Sequence, residues 1–383
     1  MEFECRFKLL LLAKDLNTMK LWHWIFSFLL IGLIGCSEKK QMEETFTLFV
    51  GTYTNGDSEG IYSLRFNSET GSLDSLKLMA SMPNPSFLAI SNDRKQLYAV
   101  QETADFDSMG GGITAFSLDD GMLKELNSMG TGGAHPCHVS LSSKGQLAVS
   151  NYTGGNLALY DLQPDGSLGQ RQIIDHKVLD TVKTSHVHKA HFTEDGLFTS
   201  DLGLDVIKRY VEIDGEWKPA NQASIDLPDG AGPRHFEFNA DRSVLYGINE
   251  LNATITVFQK DGSGNYAPVQ TENTLAPDWD GGKSCADIHL SPDGHFLYGS
   301  NRGENTIVIF SVDPSDGKIT LVGRESVHGD WPRNFAIDPS GSYLLVANER
   351  SNNISVFKRD SDKGTLEFLN KLDFPSPVCL IFQ

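Results

Sequence analysis

The chain has 383 residues, of which 36 are glycine and 39% are hydrophobic, a composition typical of a turn-rich globular protein. Its 50 acidic residues outnumber its 32 basic residues, and the formal net charge is −18. This charge argues against nucleic acid as a partner, because binding to a phosphate backbone needs a basic face.

The first element in the chain has the three-part pattern of a secretory signal. Lys20 precedes a strongly apolar run over residues 21–34, and a Gly-Cys-Ser triplet follows the run. The run is too short to span a bilayer and ends at a small-residue cleavage site. Residues 33–36 resemble the bacterial lipobox, in which the cysteine, here Cys36, is lipidated and becomes the new N-terminus. An uncleaved membrane anchor is the alternative.

These features predict three regions along the chain. Residues 1–36 form a signal segment with Met19 as an alternative translation start, residues 37–45 form a tether, and residues 46–383 form one folded domain. The mature protein is then expected to be an extracytoplasmic bacterial lipoprotein of the periplasm or outer membrane. Its N-terminal lipid is expected to be its only membrane attachment.

Six segments after the tether share one pattern of an alternating apolar run, a polar turn, a second β-rich run and a polar end. They are residues 84–102, 135–152, 186–202, 232–250, 284–302 and 331–350. Their closing residues lie 48 to 52 positions apart. A repeat period of this size indicates a propeller or a similar array.

Two further β-runs follow each of these segments, often separated by an Asp-Gly turn of the hairpin type. Four antiparallel strands per repeat make one propeller blade. A seventh copy is divided, because GTY (51–53) has no upstream partner and PSPVCLIF (375–382) has no downstream partner. We therefore predict an all-β, seven-bladed β-propeller whose C-terminal strand joins the N-terminal blade. A closed ring has no edge strand that needs a partner, which predicts a monomer.

Polar side chains recur at the start of the first strand and at the end of the second strand of the repeats. The first set is His135, His138, His186, His188, Arg234, His235 and Arg333. The second set is Glu102, Tyr152, Asp201, Glu250, Arg302 and Glu349. A hairpin places these positions at one edge, so both sets should meet at one mouth of the central channel. Local pairing between blades, for example of Arg234 with Glu250, is one explanation; a site for a small anion is the other.

The motifs at these positions, taken together, resemble those of a known family. They are VGTYT (50–54), HPCHV (135–139), NYTGG (151–155), HVH (186–188), DLGLD (201–205), GPRH (232–235), NEL (249–251), SNRG (300–303) and WPRNF (331–335). The chain is similar, from about residue 46 to 382, to the seven-bladed propeller lactonases. That family includes propeller-type 6-phosphogluconolactonases and fungal carboxy-muconate lactonising enzymes. The export signal departs from the family pattern, since 6-phosphogluconolactone is a cytoplasmic intermediate.

The resemblance implies a lactone site built from one histidine, two arginines and a glutamate. The matching positions are His186 or His188, Arg234, Glu250 and Arg302. We expect a neutral His188 to activate water, with His186 as the alternative base. Arg234 or Arg302 would stabilise the oxyanion, and Glu250 would orient the histidine or an arginine.

The substrate expected from these motifs is a small anionic sugar lactone. The predicted substrate-binding residues are Arg333, His135, His235 and Asn151. The predicted reaction converts 6-phospho-D-glucono-1,5-lactone and water into 6-phosphogluconate. Two alternatives stay open: a lactonase or lactonising isomerase for a different extracytoplasmic lactone, and a non-catalytic, lipid-anchored binding propeller.

No metal or other cofactor is expected. His186 and His188 could begin a zinc site, but strand alternation points the nearby His191 the other way and no Cys-x-x-Cys motif completes a ligand set. Cys137, Cys285 and Cys379 are predicted to be free and buried. A nucleophilic thiol at Cys137 is the alternative.

Overall fold

A computed structural model describes residues 44–119, 121–180 and 182–383. These residues form seven antiparallel sheets of four strands each, so the predicted seven-bladed, all-β propeller is confirmed. Cys36 and the rest of the predicted signal lie outside the described residues, as does the tether except for residues 44 and 45. Among the described residues there is no helix with the length and hydropathy of a membrane span.

The strand bounds, given from the innermost strand of each blade outward, are as follows. Blade 1 comprises β28 (Pro377–Phe382), β1 (Thr45–Thr52), β2 (Gly60–Asn67) and β3 (Ser72–Ser81). Blade 2 comprises β4 (Leu88–Ile90), β5 (Gln96–Gln101), β6 (Gly112–Asp119) and β7 (Met122–Gly130). Blade 3 comprises β8 (Pro136–Leu141), β9 (Gln146–Asn151), β10 (Asn156–Leu162) and β11 (Leu168–Asp175).

The remaining blades continue the same order. Blade 4 comprises β12 (Val187–Thr193), β13 (Gly196–Asp201), β14 (Val206–Ile213) and β15 (Glu216–Asp226). Blade 5 comprises β16 (Pro233–Phe238), β17 (Val244–Asn249), β18 (Thr254–Lys260) and β19 (Tyr266–Asn273). Blade 6 comprises β20 (Cys285–Leu290), β21 (Phe296–Asn301), β22 (Thr306–Val312) and β23 (Ile319–Ser326). Blade 7 comprises β24 (Pro332–Ile337), β25 (Tyr343–Asn348), β26 (Asn353–Arg359) and β27 (Leu366–Asp373).

The two ends of the folded domain close the ring within blade 1. Strand β28 pairs with β1 in antiparallel register, with Leu48 opposite Phe382 and Gly51 opposite Cys379. The Phe382 ring also packs edge-on against Phe66 of β2, with the ring centroids 5.4 Å apart. The predicted closure by the C-terminal strand is therefore confirmed, and the ring has no open first or last blade.

Burial follows strand position within each blade. The second strand of blade 5, β17, is buried at every residue, whereas the outer strand β19 has only exposed and half-buried residues after its first residue. Second strands are packed between neighbouring blades, so their apolar runs are continuous. For example, Tyr246 and Ile248 of blade 5 share a core cluster with Ile288 and Leu297 of blade 6.

A tyrosine in several second strands joins one blade to the next. The hydroxyl of Tyr98 donates to the carbonyl oxygen of Gly166 at 2.8 Å, and that of Tyr246 donates to Gly317 in the same way at 2.8 Å. Both glycines have positive φ in tight turns between the third and fourth strands, a conformation that glycine adopts readily. A buried phenol thus finds its acceptor in the neighbouring blade and fixes the angle between the two blades.

The innermost strands of six blades begin with a register shift of the β-bulge type. The shifts lie at Pro136/His138, Val187/Lys189, Pro233/His235, Cys285/Ile288, Pro332/Asn334 and Pro377/Cys379. A bulge inserts an extra residue and re-aims side chains, and bulges are common next to active sites. Strict strand alternation would place His186 and His188 on one face of the strand, and this expectation is wrong because of the bulge between Val187 and Lys189. His186 precedes β12, and His188 is the bulged residue.

Candidate active site

A cavity of about 220 Å³ lies at one mouth of the central channel. Its wall comes from the bulged starts of innermost strands and from residues at or just beyond the ends of second strands, which the antiparallel pairing brings to one edge. The nine lining residues are Tyr53, Glu102, Cys137, Tyr152, His188, Arg234, Glu250, Arg302 and Arg333. The structure therefore brings together five of the predicted site residues, namely His188, Arg234, Glu250, Arg302 and Arg333.

Two arginines share one carboxylate on one side of the cavity. Arg302 Nη2 lies 2.7 Å from Glu250 Oε2, and Arg234 Nε lies 3.1 Å from the same oxygen without the angle of a hydrogen bond. The guanidinium groups also donate to backbone carbonyls, Arg234 to Ala286 and Arg302 to Cys285. Both side chains are therefore fixed, so their positive charges are pre-organised toward the cavity.

Burial and the neighbouring cations Arg302 and Arg333 lower the pKa of Arg234 to about 10. Glu250 and Asp287 act in the opposite direction. The guanidinium still carries its charge at neutral pH. The predicted local pairing of Arg234 with Glu250 is thus present, and it stands within the wall of a cavity rather than in a closed interface.

The opposite side of the cavity holds a second arginine and carboxylate pair. Arg333 Nη2 lies 3.7 Å from Glu102 Oε2, and its guanidinium lies over the Tyr53 ring at 5.1 Å from the centroid. The Tyr53 hydroxyl donates to Glu102 Oε2 at 2.9 Å. Burial raises the pKa of Tyr53 well above its usual value, so the phenol stays protonated and remains a donor.

His188 provides a neutral imidazole between these two sides. Its ring packs edge-on against Tyr152 and His235, with centroid distances of 5.7 Å and 5.1 Å, and its buried Nδ1 has no hydrogen-bond partner. Burial holds the pKa of His188 well below its usual range, and the neighbouring Arg234 and His235 lower this pKa further. The imidazole is therefore uncharged at neutral pH, although it stands among three guanidinium groups.

The cysteines are free and buried, as predicted. Cys137 lines the cavity, and its Sγ lies 3.4 Å from the carbonyl oxygen of His188 as a donor. Burial raises the pKa of this thiol far above neutral pH. A nucleophilic thiolate is disfavoured, because this anion would have to form in a buried site beside the carboxylate of Glu102.

Four predicted site residues lie away from the cavity wall. His186 stacks on Tyr152 at 4.4 Å and its Nδ1 faces the Tyr152 carbonyl, while His135 bonds to Thr153 in the mouth loops. Asn151 is buried and donates to the Thr131 carbonyl and to Asn156. His235 does not line the cavity, and its Nδ1 faces Asp287 Oδ1 at 2.7 Å. A direct substrate contact for these four residues has no support in this geometry.

Tyr53, Glu102 and Tyr152 line the wall, although no role was predicted for them. The repeat register places Glu102 and Tyr152 at the same kind of position as Glu250, at the close of a second strand. This equivalence is the feature of the sequence that could have identified Glu102 and Tyr152 as site residues. Tyr53 lies directly after β1, and its contacts with Glu102 and Arg333 distinguish it from an ordinary blade residue.

A buried carboxylate lies beneath the cavity floor. Asp287 Oδ1 lies 2.7 Å from His235 Nδ1, and its Oδ2 lies 3.0 Å from His289 Nε2. Asn334 Nδ2 donates to Asp287 Oδ2 at 2.5 Å. Burial lowers the pKa of His235 to about 3, so this ring is neutral and its Nδ1 carries the proton toward Asp287. The four side chains join three blades around the channel.

We expect Asp287→Asn to lower the free energy of unfolding at pH 7 by roughly 2 kcal/mol, because charge-assisted hydrogen bonds are lost in a buried site. Burial alone would raise the pKa of Asp287, but His289 and His235 outweigh it and hold this pKa well below its usual value. The carboxylate's contribution is therefore complete above its unfolded pKa and is lost as the pH falls toward its folded pKa. Urea unfolding at pH 7 and at pH 3 measures the difference. Equal stability of variant and parent at pH 7 would contradict this role.

Among the described residues, no group of three or more His, Cys, Asp or Glu side chains is arranged to hold a metal ion. The His186 ring stacks on Tyr152, and the His191 ring packs against Phe236 and Phe238. His186 and His191, two of the three imidazoles considered for zinc, are thus engaged with different neighbours. We derive no step that uses a metal.

Fold and site together define a class of protein, namely a propeller enzyme with one small cavity at a channel mouth, lined by arginines and one neutral imidazole. Residues 47–382 match the family described as lactonase, 7-bladed beta-propeller. The chain therefore belongs to the seven-bladed propeller lactonases, which confirms both the resemblance and the enzyme class predicted from the motifs.

Relatives and solved structures agree with this membership. The chain is 40% identical over 341 residues to a protein of Formosa agariphila named 6-phosphogluconolactonase, covering 84% of this chain and 95% of that protein. It is 33% identical to the 6-phosphogluconolactonase of Bacillus subtilis, covering 87% and 97%. The structure of the periplasmic gluconolactonase of Pseudomonas aeruginosa is similar with a TM-score of 0.83 and 34% identity, covering 88% and 99%.

Proposed function

We propose that the cavity hydrolyses a six-membered sugar lactone, a reaction of the 6-phosphogluconolactonase type. The observation that carries the proposal is the meeting of a neutral His188 with Arg234 and Arg302 around one carboxylate in a cavity of about 220 Å³. The names of the relatives, 6-phosphogluconolactonase and gluconolactonase, support the same reaction.

In the proposed mechanism, His188 accepts a proton from a water molecule while the water oxygen forms a bond to the lactone carbonyl carbon. The carbonyl oxygen becomes an oxyanion, which Arg234 and Arg302 stabilise by charge and by N–H donors already fixed in place. The bond between the carbonyl carbon and the ring oxygen then breaks. The proton on His188 passes to the ring oxygen, which leaves as a hydroxyl group.

The low pKa of His188 suits the second half of this sequence. A protonated imidazole beside Arg234 and Arg333 is a strong acid, because burial and the neighbouring cations all disfavour its charge. It therefore returns its proton readily to the departing ring oxygen. Glu250 would act as the orienting residue for the two arginines, since its Oε2 faces both of them.

We also propose that this reaction takes place outside the cytoplasm. The signal-like residues 19–35 and the lipobox-like cysteine Cys36 support export and lipid anchoring. A periplasmic gluconolactonase of the same fold has been solved from Pseudomonas aeruginosa. Globomycin treatment of the native host, followed by a shift of the protein from the mature to the precursor size, would test the lipoprotein processing at Cys36.

A lactone panel tests the proposed function. The purified protein is incubated with glucono-1,5-lactone, 6-phosphoglucono-1,5-lactone and muconolactone, and the acid released is followed against the spontaneous rate. Faster release of acid from either sugar lactone supports the proposal. Conversion of muconolactone alone would favour a lactonising isomerase, and no rate enhancement with any lactone would favour the non-catalytic binding propeller.

A further inference from the structure

We infer that the natural substrate is an uncharged, unphosphorylated sugar lactone; this inference rests on the proposed function. The net positive charge of the cavity wall balances one negative charge, namely the one that develops on the lactone oxygen during hydrolysis. It does not balance the additional charge of a phosphate tail. The inference replaces the expectation of an anionic substrate that the ring of cationic residues raised.

The wall carries a small net charge. Its three cations are Arg234, Arg302 and Arg333, and its two anions are Glu102 and Glu250, so the sum is 3 − 2 = +1. His188 and Cys137 add nothing, because burial keeps the imidazole and the thiol uncharged. One oxyanion formed from a neutral lactone brings this total to zero.

A phosphate monoester would change that balance. It carries about −1.5 to −2 charges at neutral pH, which would make the occupied cavity negative before any oxyanion has formed. The oxyanion would then develop in a site of its own sign, where burial strengthens the repulsion. A phosphate would also have to lie beside Glu102 and Glu250, whose carboxylates already face the guanidinium groups that anions use as ligands.

The approaches to the cavity are acidic as well. The loops that lead to the innermost strands, or that follow the second strands, surround this mouth. Their exposed acidic residues, among those that the structure describes, are Asp57, Glu59, Asp105, Asp107, Asp229, Asp278 and Asp280. Their exposed basic residues are Lys177, Lys283 and Arg350. An acidic rim slows the approach of an anion and leaves a neutral molecule unaffected.

Hydroxyl groups, in contrast, suit the wall. The carboxylates of Glu102 and Glu250 are acceptors for sugar hydroxyls, and Glu250 has a partly exposed side chain, at 19%. Tyr53 and Tyr152 keep their phenol protons, since burial raises the pKa of both. A polyhydroxylated ring can therefore be bound by donors and acceptors without a phosphate clamp.

The test compares kcat/KM for glucono-1,5-lactone and 6-phosphoglucono-1,5-lactone at two ionic strengths. The purified full-length protein is used at about 0.01 M and 0.15 M salt, where the screening length is roughly 30 Å and 8 Å. We expect the plain lactone to be hydrolysed with a kcat/KM roughly tenfold or more above that of the phosphorylated lactone. Its kcat/KM should not change with salt. That of the phosphorylated lactone should rise with salt, because screening weakens the repulsion.

A rim variant and its matched control locate the effect. Asp278 and Asp280 lie in the loop between β19 and β20, which ends at Ser284, the residue whose carbonyl accepts a bond from Arg302. The double change Asp278→Asn with Asp280→Asn should raise kcat/KM for the phosphorylated lactone several-fold at low salt, within the range of electrostatic steering. It should leave the plain lactone unchanged. The control pair, Asp214→Asn with Asp362→Asn, lies in turns at the opposite end of the channel and should change neither value.

Two outcomes would overturn the inference in distinguishable ways. If the phosphorylated lactone is hydrolysed as well as the plain lactone or better, and its kcat/KM falls as salt is added, the substrate class is wrong and the proposed hydrolysis stands. If neither lactone is hydrolysed faster than it is in buffer, the proposed function and the substrate class are both wrong.

Discussion

Arg234→Met is expected to lower kcat for lactone hydrolysis by roughly 10²- to 10³-fold, the usual effect of removing one oxyanion donor. Methionine keeps most of the buried volume and removes the guanidinium. Glu250 does not become an unpaired buried charge, because Arg302 remains 2.7 Å from its Oε2. The variant loses stabilisation of the transition state and not of the bound substrate, so kcat should fall much more than KM rises. Steady-state kinetics with glucono-1,5-lactone measures this split.

The matched control for this variant is Arg209→Met. Arg209 is also a buried arginine, bonded to Gln222 and to the Gly264 carbonyl and packed over the Phe198 ring, but it does not line the cavity. We expect this control to lower the melting temperature and to keep kcat near the parent value. If Arg234→Met retains full activity in a folded protein, Arg234 has no part in the chemistry.

His188→Phe is expected to lower kcat by roughly 10²- to 10⁴-fold, the range for loss of a positioned acid or base. Phenylalanine fills the ring volume between Tyr152 and His235 and cannot accept a proton. The buried Nδ1 has no partner in the parent, so its removal breaks no hydrogen bond in the fold. Single-turnover measurements with a saturating lactone concentration separate the chemical step from substrate binding.

His191→Phe is the control for the loss of an imidazole from the same strand. His191 also lies in β12, but its ring packs against Phe236 and Phe238 and does not line the cavity. The His191→Phe protein should hydrolyse the lactone at close to the parent rate. Equal losses of activity in both variants would show that packing along β12, and not the chemistry of His188, sets the rate.

The propeller could be predicted from the sequence because each level of its pattern agrees. The fifty-residue period, the Asp-Gly turns and the divided seventh copy all require the same ring, and the pairing of β28 with β1 confirms it. The position of the site also followed from topology. A hairpin brings the start of its first strand and the end of its second strand together, which predicts that Arg234 lies beside Glu250, and the two side chains are 3.1 Å apart in the structure.

The finer structure of the site depended on features with no clear sequence signal. A β-bulge at Val187/Lys189 decides that His188, and not His186, lines the cavity, and bulges break the two-residue period on which alternation rests. Asn151, the first residue of the NYTGG motif, is predicted to bind substrate. Its amide instead bonds to the Thr131 carbonyl inside the blade, a contact between distant segments that no spacing reveals.

The pairing partners of Glu102 could not be predicted from the sequence either. The sequence places Glu102 at the mouth, but only packing decides that its carboxylate faces Arg333 and accepts a bond from Tyr53. The carboxylates of Glu102 and Glu250 offset most of the charge of the three arginines on the wall, so a substrate meets a wall with a small net charge. This charge could not be obtained from the sequence alone, because the sequence does not show which charged side chains line the cavity.

The pairing of β28 with β1 has a consequence for biosynthesis. The β1 edge has no inner partner until Pro377–Phe382 have been synthesised, so blade 1 stays incomplete after every strand of blades 2 to 7 has been made. A product that stops before Pro377 keeps almost all of the buried core and still presents a free strand edge, and such edges recruit other chains into aggregates. A premature stop codon just before Pro377 is thus more damaging than the small number of core residues in β28 implies.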